Sequence, residues 1–310
     1  MAIFAQHGNS NIFSFYAKDS VRVTIDKPSH FFKQKPAIIT FYALPNGNTT
    51  EQTMGKKMKE GDDLHFDIQH IGAQTRFLRD AIKDRTIVVA YLEATMKSWP
   101  AWRKKFGDGQ IPTVLEAVQQ KILARPAAPK SDAGGRVERI LTGHSGGGSF
   151  TFGYLNAVKQ IPEDVTRIAF LDSNYAYNAT NHLAKLVQWL NASPQHQLCV
   201  LGYNDAAALL EGKPFVSAEG GTWGRSHAML SDLGETFRFA SQTRGELETA
   251  SALDGRIQFL LKENPGRKIL HTVQVERNGF IHAMVSGTAS AGRGYVYFGE
   301  RAYAKWISEE

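Results

Sequence analysis

The residues Gly143-His144-Ser145-Gly146-Gly147 place a serine inside Gly-x-Ser-x-Gly. Upstream, Arg136 to Leu141 reads as a short strand. Downstream, Phe150, Tyr154, Leu155 and Val158 recur at helical spacing until Ile161-Pro162 stops the run. A serine at such a junction is held on a sharp turn with its hydroxyl clear of the backbone, and the flanking glycines let strand and helix pass closely. The free N–H groups at the helix start favour negative charge developing beside that hydroxyl. The chemistry this suits is nucleophilic attack, with a histidine as proton acceptor and a carboxylate to orient it. A phosphate loop is excluded, because Ser149 follows Gly148 and no lysine stands where a phosphate would need one.

The elements that must carry this serine alternate in type. Ile12 to Ala17 and Val21 to Asp26 read as two antiparallel strands; in the second, Val21, Val23 and Ile25 alternate with polar residues. Apolar strand-like runs follow at Ala37 to Tyr42, Thr86 to Tyr91, Arg167 to Leu171, Leu198 to Gly202 and Leu270 to Val275. Helical stretches separate them at Phe66 to Lys83, Thr113 to Leu123, Ser149 to Gln160, His182 to Leu190 and Glu246 to Lys262. The pattern predicts an α/β fold: a mostly parallel sheet of about eight strands with an antiparallel N-terminal hairpin and helices on both faces. It reads as a single domain over 1–310, with no internal repeat. Ala124 to Gly135 is a loop entering the elbow strand. Pro214 to Gly234, within an insertion over 206–245, is either a cap over the site or a surface excursion.

With the elbow and this alternation, the chain resembles the α/β-hydrolase superfamily, over Ala37 to His282. That resemblance implies a chain order of nucleophile, acid and histidine. The acid would follow the second strand after the elbow strand, at Asp205, and the histidine would follow the last strand, at His282. Asp172, one strand earlier, is the rival acid, and His227 the rival histidine. The resemblance also implies an oxyanion hole from the Gly146 N–H and the backbone near Asn46 or Gly47, within Leu44-Pro45-Asn46-Gly47-Asn48. His144, beside the serine, would shape the pocket. Tyr175, Trp223 and His227 are the expected substrate contacts; Trp99, Trp102 and Tyr177 fall in similar loops, where aromatics either stack on substrate or pack the core. Glu93 and Arg225 either recognise charge or pair with neighbours.

The implied activity is a serine hydrolase that cleaves a carboxylic ester, small or polymer-borne, through an acyl-enzyme. A peptidase or amidase with the same triad and a non-catalytic binding protein are the alternatives. No cofactor is called for. His65, Asp67 and His70 cluster, but His65 and His70 lie five apart, off one helix face, and no His-Glu-x-x-His occurs. The 36 basic and 30 acidic residues give a net charge of +6, but the basic residues are scattered and accompany no nucleic-acid motif. No apolar run is long enough to span a membrane. The single cysteine, Cys199, sits in an apolar run and suits packing. The start lacks a basic, long-cored leader, so the chain is expected to be cytoplasmic, or secreted with its leader removed.

Overall fold

The alternation of apolar strands and amphipathic helices resolves into one large sheet covered on two faces. A computed structural model describes residues 5–7, 10–29, 35–124, 137–217 and 219–309. The strands are β1 (Ala5–His7), β2 (Ser10–Ala17), β3 (Val21–Pro28), β4 (Ala37–Ala43), β5 (Thr86–Ala94), β6 (Val137–His144), β7 (Val165–Leu171), β8 (Gln197–Tyr203), β9 (Leu209–Leu210), β10 (Lys213–Pro214), β11 (Ala240–Arg244), β12 (Leu247–Ala252) and β13 (Ile257–Lys262). Eleven of them form the main sheet, in the order β1-β2-β3-β5-β4-β6-β7-β8-β13-β12-β11. The centre from β5 to β13 is parallel, and antiparallel strands flank it on both sides. The N-terminal hairpin is present as read, pairing Ala17 with Val21 and running out to Ser10 with Pro28. The loop read over 124–135 lies, apart from Ala124, outside the described residues.

The helices are α1 (Thr50–Met54), α2 (Ile71–Ala81), α3 (Trp99–Phe106), α4 (Gln110–Leu123), α5 (Gly148–Ala157), α6 (Ala179–Ala192), α7 (Thr222–Gly234), α8 (Val273–Glu276) and α9 (Gly279–Val285). Because a strand turns successive side chains to opposite faces, the central strands feed two cores. Phe41, Val88, Leu141, Phe170 and Val200 meet α3 to α7 through Trp99, Val114, Phe152, Trp189 and Met229. Tyr42, Val89, Ala169, Cys199 and Leu201 meet α2 and α9 through Leu78, Phe280 and Ile281. No helix among the described residues is long and apolar enough to cross a membrane.

Two expectations fail, and together they matter for the site. Glu246 to Lys262, read as a helix, is the β12–β13 hairpin, while Leu270 to Val275, read as a strand, is a loop running into α8. The hairpin turn holds Leu253, Asp254 and Gly255, all at positive φ (51°, 55° and 85°). An Asp-Gly pair between apolar runs is the sequence signature of such a turn. Ile257, Phe259 and Leu261 point into one core and Leu260 into the other, so β13 is buried on both sides like its parallel neighbour β8. The last parallel strand is therefore β13.

The Pro214 to Gly234 stretch is also more regular than its composition indicates. It contains α7, whose Met229 and Leu233 are fully buried in the core shared with β8 and β13. This helix is a layer of the fold. Truncating a buried leucine commonly costs about 2–5 kcal/mol. Leu233→Ala should lower stability in urea by that much; a loss under about 0.5 kcal/mol would mean that α7 behaves as a detachable cap.

Candidate active site

Strand register brings the functional loops to one edge. Gly143 pairs with Ala43 of β4 and with Phe170 of β7, His144 with Leu171, Leu171 with Leu201 of β8, and Tyr203 with Lys262 of β13. The C-terminal ends of the parallel strands thus stand level, the edge at which open α/β sheets place their sites. Ser145 leaves β6 with φ +54°, a left-handed conformation that costs a non-glycine residue about 1 kcal/mol or more. The glycines around it serve close packing. A Cβ on Gly143 would lie 2.7 Å from the Ala43 carbonyl oxygen, and on Gly148 it would overlap the Ser173 carbonyl. The serine sits half-buried at the head of α5, through one short turn over Ser145–Gly147.

One residue past the end of β7, Asp172 is wholly buried and accepts a 2.5 Å hydrogen bond from His271 Nδ1. The loop after β13 delivers that histidine. Its ring lies 4.4 Å from that of His144, and its carbonyl oxygen accepts a 3.1 Å bond from His144 Nε2. A carbonyl only accepts, so His144 carries its proton on Nε2. Burial, and then His271, hold His144 well below the usual histidine range, so it stays neutral and fixes the backbone of His271. With Nδ1 committed to Asp172, the Nε2 of His271 has no hydrogen bond among the described residues. Neither Asp172 nor His271 is unusual in type; the rule that a histidine follows the last strand finds His271 once β13 is known to be that strand.

Asp205 and His282 are not brought together. Asp205, 1% exposed, accepts from the backbone N–H groups of Thr222 at 2.7 Å and Trp223 at 3.2 Å. It thereby caps α7, whose N-cap Gly221 has no side chain to do so. Thr222 Oγ1 lies within hydrogen-bond reach of both Asp172 Oδ1 and Asp205 Oδ2, and its single proton goes to the closer, Asp172. Burial, and then Asp172, raise the Asp205 carboxyl above its ordinary value. His282 lies in α9, where Nδ1 meets the Tyr295 hydroxyl at 3.0 Å and Nε2 is buried without a partner. It does not meet Asp205, and Leu270 to Val275, the run it was expected to follow as the last strand, is not a strand.

The cavity in front of the serine has a volume of about 690 Å³ and is lined by Ser145, Gly146, Asn46, Ser173 and Tyr175, among others. The Asn46 side chain occupies the space a Cβ on Gly146 would need. In the loop after β4, the Leu44 N–H donates to Leu92, the Gly47 N–H to Lys97 at 2.8 Å and the Asn48 N–H to Pro45. Pro45 has no donor, so in this loop only the Asn46 N–H is without a partner among the described residues, while the Gly47 N–H is taken by Lys97. Tyr175 stands at the cavity as expected, its ring 6.4 Å from that of His271. The other proposed contacts lie elsewhere. His227 bonds Trp223 O and Glu248, and the Trp223 ring packs on His227 4.5 Å away. Trp99 and Trp102 are buried against each other, and Tyr177 is buried with its hydroxyl on Asp232. Glu93 accepts from Thr50 and pairs with Arg22 and Lys97. His65 bonds Asp63, whereas Asp67 joins His70 and Arg301.

Sheet topology and elbow together define a fold of the α/β-hydrolase type. No family model and no curated protein matches the chain. Among solved structures it is similar to a thermostable esterase at 12% identity and TM-score 0.47, covering 90% of this chain and 63% of that one. It is also similar to the feruloyl esterase module from Clostridium thermocellum, solved with sinapinate (10% identity, TM-score 0.46, 100% of this chain and 86% of that one). A third is a siderophore hydrolase from Aspergillus nidulans, at 12% identity and TM-score 0.47, covering 89% and 94%.

The burial of His282 has a consequence for acid stability. Burial, followed by the Arg167 charge, pushes its imidazole down to about 4, whereas an unfolded histidine titrates near 6.5. Between those values the unfolded chain binds the extra proton, so this contribution is complete above about pH 6.5 and fades as pH falls toward 4. The urea midpoint of wild type should therefore drop between pH 7 and pH 4.5, and His282→Gln should shrink that drop. An equal drop in the variant would show that His282 is not held neutral.

Proposed function

We propose that the protein is a serine esterase in which Ser145 is the nucleophile, His271 the general base and Asp172 the orienting acid. The observation that carries this reading is the buried Asp172–His271 pair, locked to His144, the residue before the strained serine. Ser145 Oγ attacks the acyl carbon while its proton passes to His271 Nε2. Asp172 keeps the other ring nitrogen protonated and stabilises the imidazolium. The N–H groups of Gly146 and Asn46 receive the negative oxygen of the tetrahedral intermediate. Collapse expels the alcohol, which takes the proton from His271. Water then enters by the reverse sequence and frees the acid and the serine.

A short-chain p-nitrophenyl ester and a fluorophosphonate probe test this reading. Wild type should turn over the ester and carry the probe on Ser145; Ser145→Ala should fold and do neither. An adduct on folded Ser145→Ala would contradict the assignment. Asp172→Asn should lower kcat by about 10³–10⁴, the scale of a misoriented base. Asp205→Asn, which keeps an acceptor oxygen for α7, should cost under about tenfold. The reverse ranking would return the acid to Asp205.

A further inference from the structure

The cavity in front of Ser145 has one charge to spare. Its wall includes Arg103, Lys104 and Asp108. Among the described residues Asp108 is the one carboxylate there, and its oxygens are occupied: Oδ1 accepts from Arg103 Nε at 2.6 Å, and Oδ2 from Arg103 Nη2 and Asn156 Nδ2, each at 2.8 Å. The remaining guanidinium nitrogen donates to Ser149 Oγ of α5 at 3.0 Å. Gly153 leaves room for this arrangement, since a Cβ there would lie 2.6 Å from Arg103 Nε. Arg103 and Asp108 are thus a fixed pair whose charges cancel. Lys104, the next residue of α3, is exposed and forms no ion pair among the described residues.

A helix terminus adds to this charge, and a phenol adds a neutral donor. α5 opens on the cavity with its N-terminus, the positive end of the helix. Burial, and then Asp172, raise the Tyr175 phenol well above its ordinary value, so it stays a neutral donor. A concave wall with an unbalanced positive charge attracts anions and disfavours cations. We propose that this cavity selects esters that carry a carboxylate, with Lys104 Nζ meeting that anion while Ser145 holds the acyl carbon. Lys104 is on this view a specificity determinant, and the inference rests on the esterase reading above.

Two matched substrate pairs test it and separate the two places the carboxylate can sit. Mono-p-nitrophenyl adipate against its methyl ester puts the charge in the acyl part; 4-acetoxybenzoate against its methyl ester puts it in the alcohol. The readout is the ratio of kcat/KM for the charged over the neutral member, in wild type, Lys104→Gln and Lys105→Gln. Lys105 is a neighbouring cation on α3 that does not line the cavity. Lys104→Gln should lower the ratio about two- to fivefold in one pair, the size of a partly exposed charge contact. Added salt should reduce the wild-type ratio toward that of the variant. Lys105→Gln should leave the ratio where it is. The pair that responds identifies the side of the ester that bears the anion. Equal ratios in wild type and Lys104→Gln for both pairs would overturn the inference while the neutral esters still report an esterase. No turnover of any of the four esters would remove the esterase reading, and this inference with it.

Discussion

The bond from His271 to a buried Asp172 is the constraint around which this edge of the sheet is organised. A carboxylate with no solvent exposure is costly unless its oxygens are hydrogen-bonded. Here one oxygen takes His271 and the other takes Thr222, and the Asp172 N–H is itself held by Leu201 O at 2.8 Å. Each partner comes from a different part of the chain, so the pair forms only when β7, β8, the loop after β13 and the start of α7 are all in place. The same closure positions Asp205, which shares Thr222 and holds the first turn of α7 against the acid.

The elbow depends on the same register. β6 lies between β4 and β7, so the strained serine emerges beside the Asn46 loop on one side and Asp172 on the other. The backbone at Ser145 is unfavourable in isolation and persists because Gly143 and Gly148 let neighbouring strands and loops press against it. His144, buried and neutral, then connects the turn to the His271 backbone with one hydrogen bond. The turn at Ser145 is thereby connected, through His144 and the backbone of His271, to the buried carboxylate of Asp172.

Much of this was legible beforehand. Gly143 to Gly147 marks the sharp turn between β6 and α5, and the apolar runs at Ala37, Thr86, Arg167 and Leu198 mark the parallel centre. The acid and histidine were harder, for one reason. Ile257 to Lys262 is apolar on both faces, and short apolar runs do not announce strand or helix by periodicity. The Asp254-Gly255 turn was the available signal for a hairpin there. Without that turn the last strand is placed at Leu270, and the histidine expected after it falls at His282; with it the last parallel strand is β13, and the next histidine is His271. Asp172 and Asp205 both follow a parallel strand, and only their contacts, with His271 for Asp172 and with the start of α7 for Asp205, tell them apart. The burial of Trp99 and Trp102, by contrast, follows from α3, an element that their loop-like surroundings concealed.

The choice between the two histidines is the most direct test of the account. The measurement is kcat/KM for a p-nitrophenyl ester with His271→Gln and His282→Gln, each shown to be folded by circular dichroism. The account predicts that His271→Gln loses about 10³-fold or more while His282→Gln stays within about tenfold of wild type. An active His271→Gln beside an inactive, folded His282→Gln would contradict it and move the base into α9.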